Sequence, residues 1–247
     1  MRTKTINFPD RQTLCVFPEV RSDLTQAVSE LQLEGNQPVL VLIGGKIDEQ
    51  HADVTRRAIH TISKIAEDMS AVVIGGGTDM GVMAEIGQSR WQNHYNFPLV
   101  GIAPEELVTW TDGPDSTNFL RWGTKRFQLE PHYSHFILVP GSEFGDESAW
   151  IVDTATILSK GNGSVTILIN GSEVSRKAIE LSLKHERPVI VMSRTGRLAD
   201  KLSRQPMRNK LISVAPVNAE QRIIDLIQAA LSIGEINVLT EHSLSTA

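Results

Sequence analysis

Several features are scarce in this sequence, and each scarcity excludes a class of protein. The 247 residues include a single cysteine, Cys15, so an internal disulfide and a cysteine-ligated zinc site are both excluded. Cys15 stands in an apolar run, where a buried and inert thiol is expected. No apolar run reaches the ~18 residues that a membrane helix requires. No apolar segment follows the first four residues, as it would in a secretory leader. We therefore expect a cytoplasmic protein with no membrane partner.

An excess of positive charge is also lacking. The formal net charge is −5, aromatic residues make up 5% of the chain, and basic residues do not alternate with aromatic ones. Nucleic acid is therefore not an expected partner. The remaining composition, 40% hydrophobic and 21% charged, is that of an ordinary globular protein. We expect one domain over residues 1–247, with a flexible polar tail from about residue 240.

Continuous apolar runs predict buried strands, and segments with helical spacing separate them. The predicted strands are 38–43, 71–74, 98–104, 134–140, 165–169, 189–192 and 211–214. The predicted helices are 22–33, 53–69, 81–92, 150–160, 173–185 and one that follows a capping box at Asn218. Residues 12–17 are predicted either as an edge strand or as the start of a hairpin. The alternation favours an α/β, Rossmann-like, doubly wound and mostly parallel sheet.

A glycine-rich turn follows the strand at 71–74. It reads Gly-Gly-Gly-Thr over Gly75, Gly76, Gly77 and Thr78, directly before a helix. Glycine lets a ligand approach the backbone, and free N–H groups at a helix start suit a phosphate. The alternative is an ordinary turn in which Thr78 or Asp79 caps the helix. The turn matches neither a Walker loop nor a strict Gly-x-Gly-x-x-Gly pattern.

Other strand ends also carry polar residues. In an open α/β sheet these ends border the ligand crevice, so a polar rim is expected there. Residues 193–197 hold two arginines around a glycine, which suits a phosphate but equally a solvated surface loop. Asp146 and Glu147 precede a helix, where they interact favourably with its dipole, bind ribose hydroxyls, or act as acid and base. His132 and His135 have no evident third metal ligand, so structural roles are expected, and no metal site is predicted.

The segment between 104 and 131 has little periodicity. It contains Trp110 and Trp122. A loop this long within a compact domain is often functional. The two tryptophans either close over a ligand or complete a small satellite core.

Four stretches resemble one known family and occur in the same order as in it. The family is the SLOG, or LSDAT, domain at the N-terminus of melastatin-type TRP (TRPM) channels, and the chain is most similar to its prokaryotic branch. The stretches are 75–83 (the element GGT-x-x-GVM), 101–104 (GIAP), 129–139 (LDP-x-x-SHFILV) and 195–200 (G-x-GR-x-AD). Together they fall within about residues 38–202.

The resemblance implies a SLOG-type fold that binds or senses a nucleotide-derived signal such as ADP-ribose or cyclic ADP-ribose. Carried over by position, the glycine turn lies along the phosphates, and Gly196 and Arg197 form the second wall of the same site. Met83 and the corner of Ala103 and Pro104 face the base or ribose. The full set of ligand-binding residues expected from the strand ends and the resemblance is Gly75, Gly76, Gly77, Thr78, Met83, Ala103, Pro104, Gly141, Ser142, Gly145, Asp146, Glu147, Thr195, Gly196 and Arg197. No cofactor or metal is expected; a homo-oligomer and an effector protein are.

An enzymatic alternative comes from the same superfamily. Phosphoribohydrolases of the Lonely Guy type carry Pro-Gly-Gly-x-Gly-Thr-x-x-Glu at a strand end, where residues 140–147 of this chain read PGSEFGDE. The glycine and threonine steps are changed and the upstream arginine is missing, while Asp146 and Glu147 remain. The alternative is therefore a nucleotide N-glycosidic hydrolase that uses these two carboxyl groups. A third possibility is a structural or assembly module.

Overall fold

The computed structural model describes residues 1–111, 113, 126–205 and 209–244, with 233–244 described through their backbone alone. These residues form strands and helices that alternate along most of the chain. The strands are β1 (Arg2–Asn7), β2 (Gln12–Phe17), β3 (Val39–Gly44), β4 (Val72–Gly75), β5 (Leu99–Pro104), β6 (Val108–Thr109), β7 (Phe127–Gln128), β8 (His135–Val139), β9 (Ser164–Ile169), β10 (Val189–Ser193) and β11 (Ile212–Pro216). The helices are α1 (Leu24–Glu30), α2 (Ala52–Asp68), α3 (Gly81–Gln92), α4 (Ser148–Leu158), α5 (Glu173–Lys184), α6 (Arg197–Arg204) and α7 (Glu220–Leu244).

Nine strands form one sheet in the order β1-β2-β8-β5-β4-β3-β9-β10-β11. Only the pairing of β1 with β2 is antiparallel, and all the others in this sheet are parallel. Two short strands, β6 and β7, pair separately. The predicted mostly parallel, doubly wound sheet is confirmed.

Side chains alternate between the two faces of the sheet, and each face has its own helical layer. In β3, Leu40 and Leu42 pack on one face with α2, α3 and α7. Val39, Val41 and Ile43 pack on the other face with α1, α4, α5 and α6. Burial on both faces explains why the central strands are apolar throughout rather than alternating.

The hairpin at the start of the chain differs from one of the two sequence expectations. β2 is not an edge strand, because it pairs with β1 on one side and with β8 on the other. β1 forms the edge, and its first four residues are exposed. Arg2 and Lys4 lie among them, and charged side chains on an edge strand discourage pairing with other chains.

The sheet reverses its winding direction between β3 and β9. These neighbours are paired in register from Val39 with Ser164 to Gly44 with Ile169. The chain leaves β3 into α2 on one face and leaves β9 into α5 on the opposite face. Such a topological switch opens a crevice beyond the carboxyl ends of the two strands, which is where open α/β sheets bind their ligands.

Two segments had little helical or strand periodicity in the sequence: the stretch between residues 104 and 131 and the C-terminal tail. Trp110 is buried and packs at 6.3 Å, centroid to centroid, from Phe17, so it belongs to the core. Trp122 lies outside the described residues. The tail expected from about residue 240 overlaps α7, which extends to Leu244, while 245–247 lie outside the described residues.

Candidate functional site

A cavity of about 320 Å³ lies at the carboxyl edge of the sheet, beside the switch between β3 and β9. This volume is at the small end of the range that ligand sites occupy, about 300–1,000 Å³. Its walls come from the ends of β3, β4 and β5 and from the starts of α4 and α5. The lining residues are Leu42, Ile43, Gly44, Gly45, Gly76, Thr78, Met80, Met83, Ile102, Ala103, Phe144, Glu147, Ser148, Ile151, Ser172, Val174, Ser175 and Ala178.

Glycine is required on the β3 side of this cavity because the backbones approach closely. A Cβ on Gly44 would stand 2.7 Å from Val82 Cγ2 and 2.9 Å from the Ile169 carbonyl oxygen. Gly81 begins α3 with φ +55°, and a Cβ there would collide with the Gly45 carbonyl oxygen. The start of α3 is therefore held directly against the loop that follows β3.

Gly76 is different, because a side chain there would meet no crowding. A Cβ on Gly76 would have Met83 Cγ at 3.8 Å as its nearest neighbour, an ordinary contact. The Gly76 amide donates a hydrogen bond to Met83 Sδ at 3.0 Å, and the Tyr133 hydroxyl donates to the same sulfur at 3.5 Å. The glycine turn is thus closed by a thioether, which is a weak acceptor.

Glu147 is the one ionisable residue among those that line this cavity. It stands at the start of α4, and its Oε2 accepts a hydrogen bond from the Gly145 amide at 2.7 Å. Burial raises the pKa of the Glu147 carboxyl above its ordinary value, and the hydrogen bond and nearby Lys177 oppose this only in part. Glu147 therefore keeps its proton to a higher pH than an exposed glutamate does.

Asn170 fixes the loop after β3 to the end of β9. It is fully buried with φ +50°, and its Oδ1 accepts a hydrogen bond from the Gly45 amide at 2.8 Å and another from the Gly171 amide. Its Nδ2 donates to the Lys46 carbonyl at 2.9 Å. Thr195 Oγ1 accepts from the Asn170 amide at 2.8 Å and donates to Met192. One side chain thus joins both sides of the switch point.

The mouth of the cavity is apolar and open to solvent. Met80, Phe144 and Val174 line it and remain 39%, 36% and 43% exposed. The ring of Phe144 also contacts that of Phe127 edge to face, with centroids 5.3 Å apart. Exposed apolar side chains gathered at one opening are typical of a binding surface.

A second cavity, of about 680 Å³, lies farther along the same edge. It is lined by Asp48, Gln50, His51, Gly196, Arg197, Asp200, Lys201, Arg204 and Gln205. Arg197 Nη2 is 3.4 Å from Asp48 Oδ1. The other lysine and arginine that line this second cavity are also paired, Lys201 with Glu173 at 3.5 Å and Arg204 with Asp200 at 3.8 Å.

Five of the predicted ligand-binding residues line the first cavity. They are Gly76, Thr78, Met83, Ala103 and Glu147. Gly196 and Arg197 line the second cavity instead. The reason is strand order: β10 stands three strand positions from β4, which is about 14 Å at the usual strand spacing.

The other predicted residues line neither of these two cavities in the described part of the chain. They are Gly75, Gly77, Pro104, Gly141, Ser142, Gly145, Asp146 and Thr195. Gly77 packs against Gly101. Thr195 is buried, and its hydroxyl accepts a hydrogen bond from the Asn170 amide. Asp146 Oδ2 accepts from the amides of Ser142 at 3.0 Å and Glu143 at 3.2 Å. Asp146 therefore braces the turn before α4 rather than facing the cavity.

The two histidines considered as metal ligands occupy separate settings. His132 Nδ1 lies 2.6 Å from Oε1 of the buried Glu130, whose carboxylate also accepts from the His132 amide at 2.8 Å. Burial, with Arg90 and Arg11 nearby, lowers the pKa of His135 to about 4. No group of three or more potential metal ligands occurs among the described residues.

Several lining residues gave no usable signal in the sequence. Met80 and Phe144 are single apolar residues in turns, where periodicity carries no information. Ser172 and Ser175 follow the strand end at residue 169, so their place after β9 was the only available signal. Within the described residues, none of the helices is long and apolar enough to cross a membrane.

Comparison with known proteins decides the family. The family model described as SLOG in TRPM, prokaryote, matches residues 37–233. The chain belongs to this family. No curated protein matches the chain significantly in sequence.

Solved structures with the same fold are distant in sequence. The structure of TM1055 is 18% identical over 77% of this chain and 99% of its own, with a TM-score of 0.52. The molybdenum cofactor binding protein from Rippkaea orientalis is 16% identical over 78% of this chain and 96% of its own, with a TM-score of 0.53. The molybdenum cofactor carrier protein from Chlamydomonas reinhardtii is 16% identical over 78% of this chain and 99% of its own, with a TM-score of 0.50. These likenesses establish the Rossmann-like SLOG fold.

Proposed function

We propose that this SLOG domain binds a nucleotide-derived ligand, of the ADP-ribose or cyclic ADP-ribose type, and serves as a sensor rather than an enzyme. The observation that carries the proposal is the cavity beside the switch between β3 and β9, with the starts of α4 and α5 on its wall. This is the position at which open α/β sheets hold nucleotides. A homo-oligomer and an effector protein, through which a sensor would act, remain predictions.

Family membership supports the same class of ligand. The matching model is named for the SLOG domain of TRPM channels. Two of the structural neighbours are named for the molybdenum cofactor, so that cofactor belongs beside the nucleotides in any ligand panel.

The test is a thermal-shift panel on matched glycine variants. Gly76→Val places a side chain on the cavity wall at a position where the backbone has room for a Cβ. Gly35→Val is the control, because Gly35 is also uncrowded and lies away from the cavity. A ligand at a hundredfold its Kd adds about 2.7 kcal/mol of stability. We expect a stabilised wild type and Gly35→Val, and no stabilisation of Gly76→Val.

Arg197→Ala separates the two cavities. Because Arg197 lines only the second one, its replacement should leave the ligand-induced shift unchanged. Loss of the shift in Arg197→Ala, with Gly76→Val unaffected, would move the site to the second cavity. No shift with any nucleotide or with the molybdenum cofactor would refute the proposal.

One observation favours a second candidate, an N-glycosidic hydrolase. Glu147 lines the cavity, and burial raises the pKa of its carboxyl, so it is suited to act as a general acid. The bond between ribose C1′ and the base nitrogen would break with its electron pair going to the base, which Glu147 would protonate. Water would add to C1′ and return its proton to the Glu147 carboxylate. Release of free base from nucleoside monophosphates, abolished in Glu147→Gln while binding persists, would establish this activity. Absence of release from the wild type would exclude it for those substrates.

A further inference from the structure

We propose that the cavity holds the aromatic ring of its ligand, and that the phosphoryl groups remain outside the mouth. This inference rests on the nucleotide-binding function proposed above and specifies how the ligand enters. It reverses the orientation that the family resemblance implied, in which the glycine turn lies along the phosphates.

The first observation is that three glycine amides at or beside the cavity are already engaged. The Gly76 amide donates to Met83 Sδ at 3.0 Å, and the Gly45 amide donates to Asn170 Oδ1 at 2.8 Å. The Gly145 amide donates to Glu147 Oε2 at 2.7 Å. Loops that bind phosphate at helix starts do so through free amides. A phosphoryl group that approached these three amides would have to break bonds that the protein makes internally.

The second observation is the charge of the lining. Among the residues that line the cavity, none is a lysine or arginine, and the single ionisable side chain is the carboxyl of Glu147. A phosphate placed inside would meet an acidic side chain and no counter-ion in a partly desolvated space. Lys46 follows the lining loop and Lys177 lies on α5, and both are exposed outside the cavity. Cations are therefore available at its outside and not within.

The third observation is the apolar mouth. The described residues leave five large apolar side chains exposed, and three of them, Met80, Phe144 and Val174, line this one cavity. An aromatic ring, a flexible thioether and a branched aliphatic side chain together suit a flat heterocycle. The side chains farther in, such as Ile102 and Ile151, are apolar as well. A planar base satisfies this lining, whereas a sugar phosphate does not.

The test is a calorimetric comparison of four nucleosides with their own 5′-monophosphates and with ribose 5-phosphate. We expect the nucleoside that binds to match its monophosphate within about threefold in Kd, and ribose 5-phosphate to give no signal. Binding of ribose 5-phosphate, with nucleosides more than tenfold weaker than their monophosphates, would overturn the orientation and leave the proposed function intact. No binding by any of these compounds or by ADP-ribose would overturn both.

A matched pair of aromatic variants locates the ring. Phe144→Ala should weaken the binding of the nucleoside at least tenfold. Trp91→Ala is the control, because Trp91 is 50% exposed and lies on α3 outside the cavity lining, against His132. Melting curves of both variants establish that each remains folded. Unchanged nucleoside affinity in Phe144→Ala, or an equal loss in Trp91→Ala, would contradict the proposal.

Discussion

Replacement of Asn170 by alanine should destabilise the protein by more than the loss of one hydrogen bond, because the Asn170 side chain makes three. The side chain accepts from the Gly45 and Gly171 amides and donates to the Lys46 carbonyl, all around a buried position. Leaving these three groups without partners costs about 3 kcal/mol in total, at about 1 kcal/mol for each. Alanine at φ +50° adds about 1 kcal/mol of backbone strain that asparagine tolerates better.

The expected loss of about 4 kcal/mol is a large part of an ordinary domain's stability. It corresponds to a fall of about 8–16 °C in melting temperature for a chain of this size. Urea unfolding followed by circular dichroism measures it directly. Asn170→Gly, which loses the same bonds without the strain, should be less destabilised than alanine by up to about 1 kcal/mol.

Asn96→Ala is the matched control. The Asn96 side chain is exposed, and its Nδ2 makes one long hydrogen bond, 3.4 Å, to the His94 carbonyl. Its free energy of unfolding should change by no more than about 0.5 kcal/mol. The loop that Asn170 holds also lines the cavity, so Asn170→Ala should weaken ligand binding as well. Equal stability of Asn170→Ala and Asn96→Ala would refute the view that Asn170 fixes the switch point.

Three further changes test other parts of the structure. Glu147→Gln should match the wild type in free energy of unfolding at pH 4 and exceed it at pH 7.5. Burial raises the folded-state pKa of Glu147, so wild-type stability is lost as pH rises from the usual value of about 4.3 through that raised pKa. An equal difference at both pH values in urea titrations would contradict this. Gly81→Ala should cost about 3 kcal/mol, since its Cβ would collide with the Gly45 carbonyl oxygen; an unchanged urea midpoint would contradict the geometry. His132→Ala should cost about 3 kcal/mol by leaving the buried Glu130 carboxyl without its ring partner, and adding Glu130→Gln should recover part of the loss in the same assay.

The sheet was predictable from the sequence because its central strands are buried on both faces. Runs such as residues 39–43 are apolar without interruption, as a parallel strand covered on both faces requires. β1 was not predicted, because it is an exposed edge strand whose residues are mostly polar, so it has no apolar run that would indicate a strand. The loop after β5 was predicted to be irregular, and Trp110 within it proved to be core.

The candidate site was predictable only in part, because it depends on strand order. Glycines after apolar runs correctly indicated the carboxyl edge, and Gly76, Thr78 and Glu147 do meet there. Nothing in the sequence showed that β9 lies between β3 and β10, which sends Arg197 to a separate cavity. Phe144 belongs to the mouth because of the path of its turn, and a lone aromatic residue in a turn carries no pattern.

The most direct measurement is an NMR titration of the ¹⁵N-labelled protein with a nucleoside monophosphate, followed through the glycine amides. Binding in the proposed cavity should move the Gly44, Gly45 and Gly76 resonances, because these residues line it, and leave Gly196 in place, because Gly196 lines only the second cavity. Movement of Gly196 with the other three unchanged would place the ligand at the arginine-lined cavity. No movement of any amide at saturating nucleotide would contradict nucleotide binding itself.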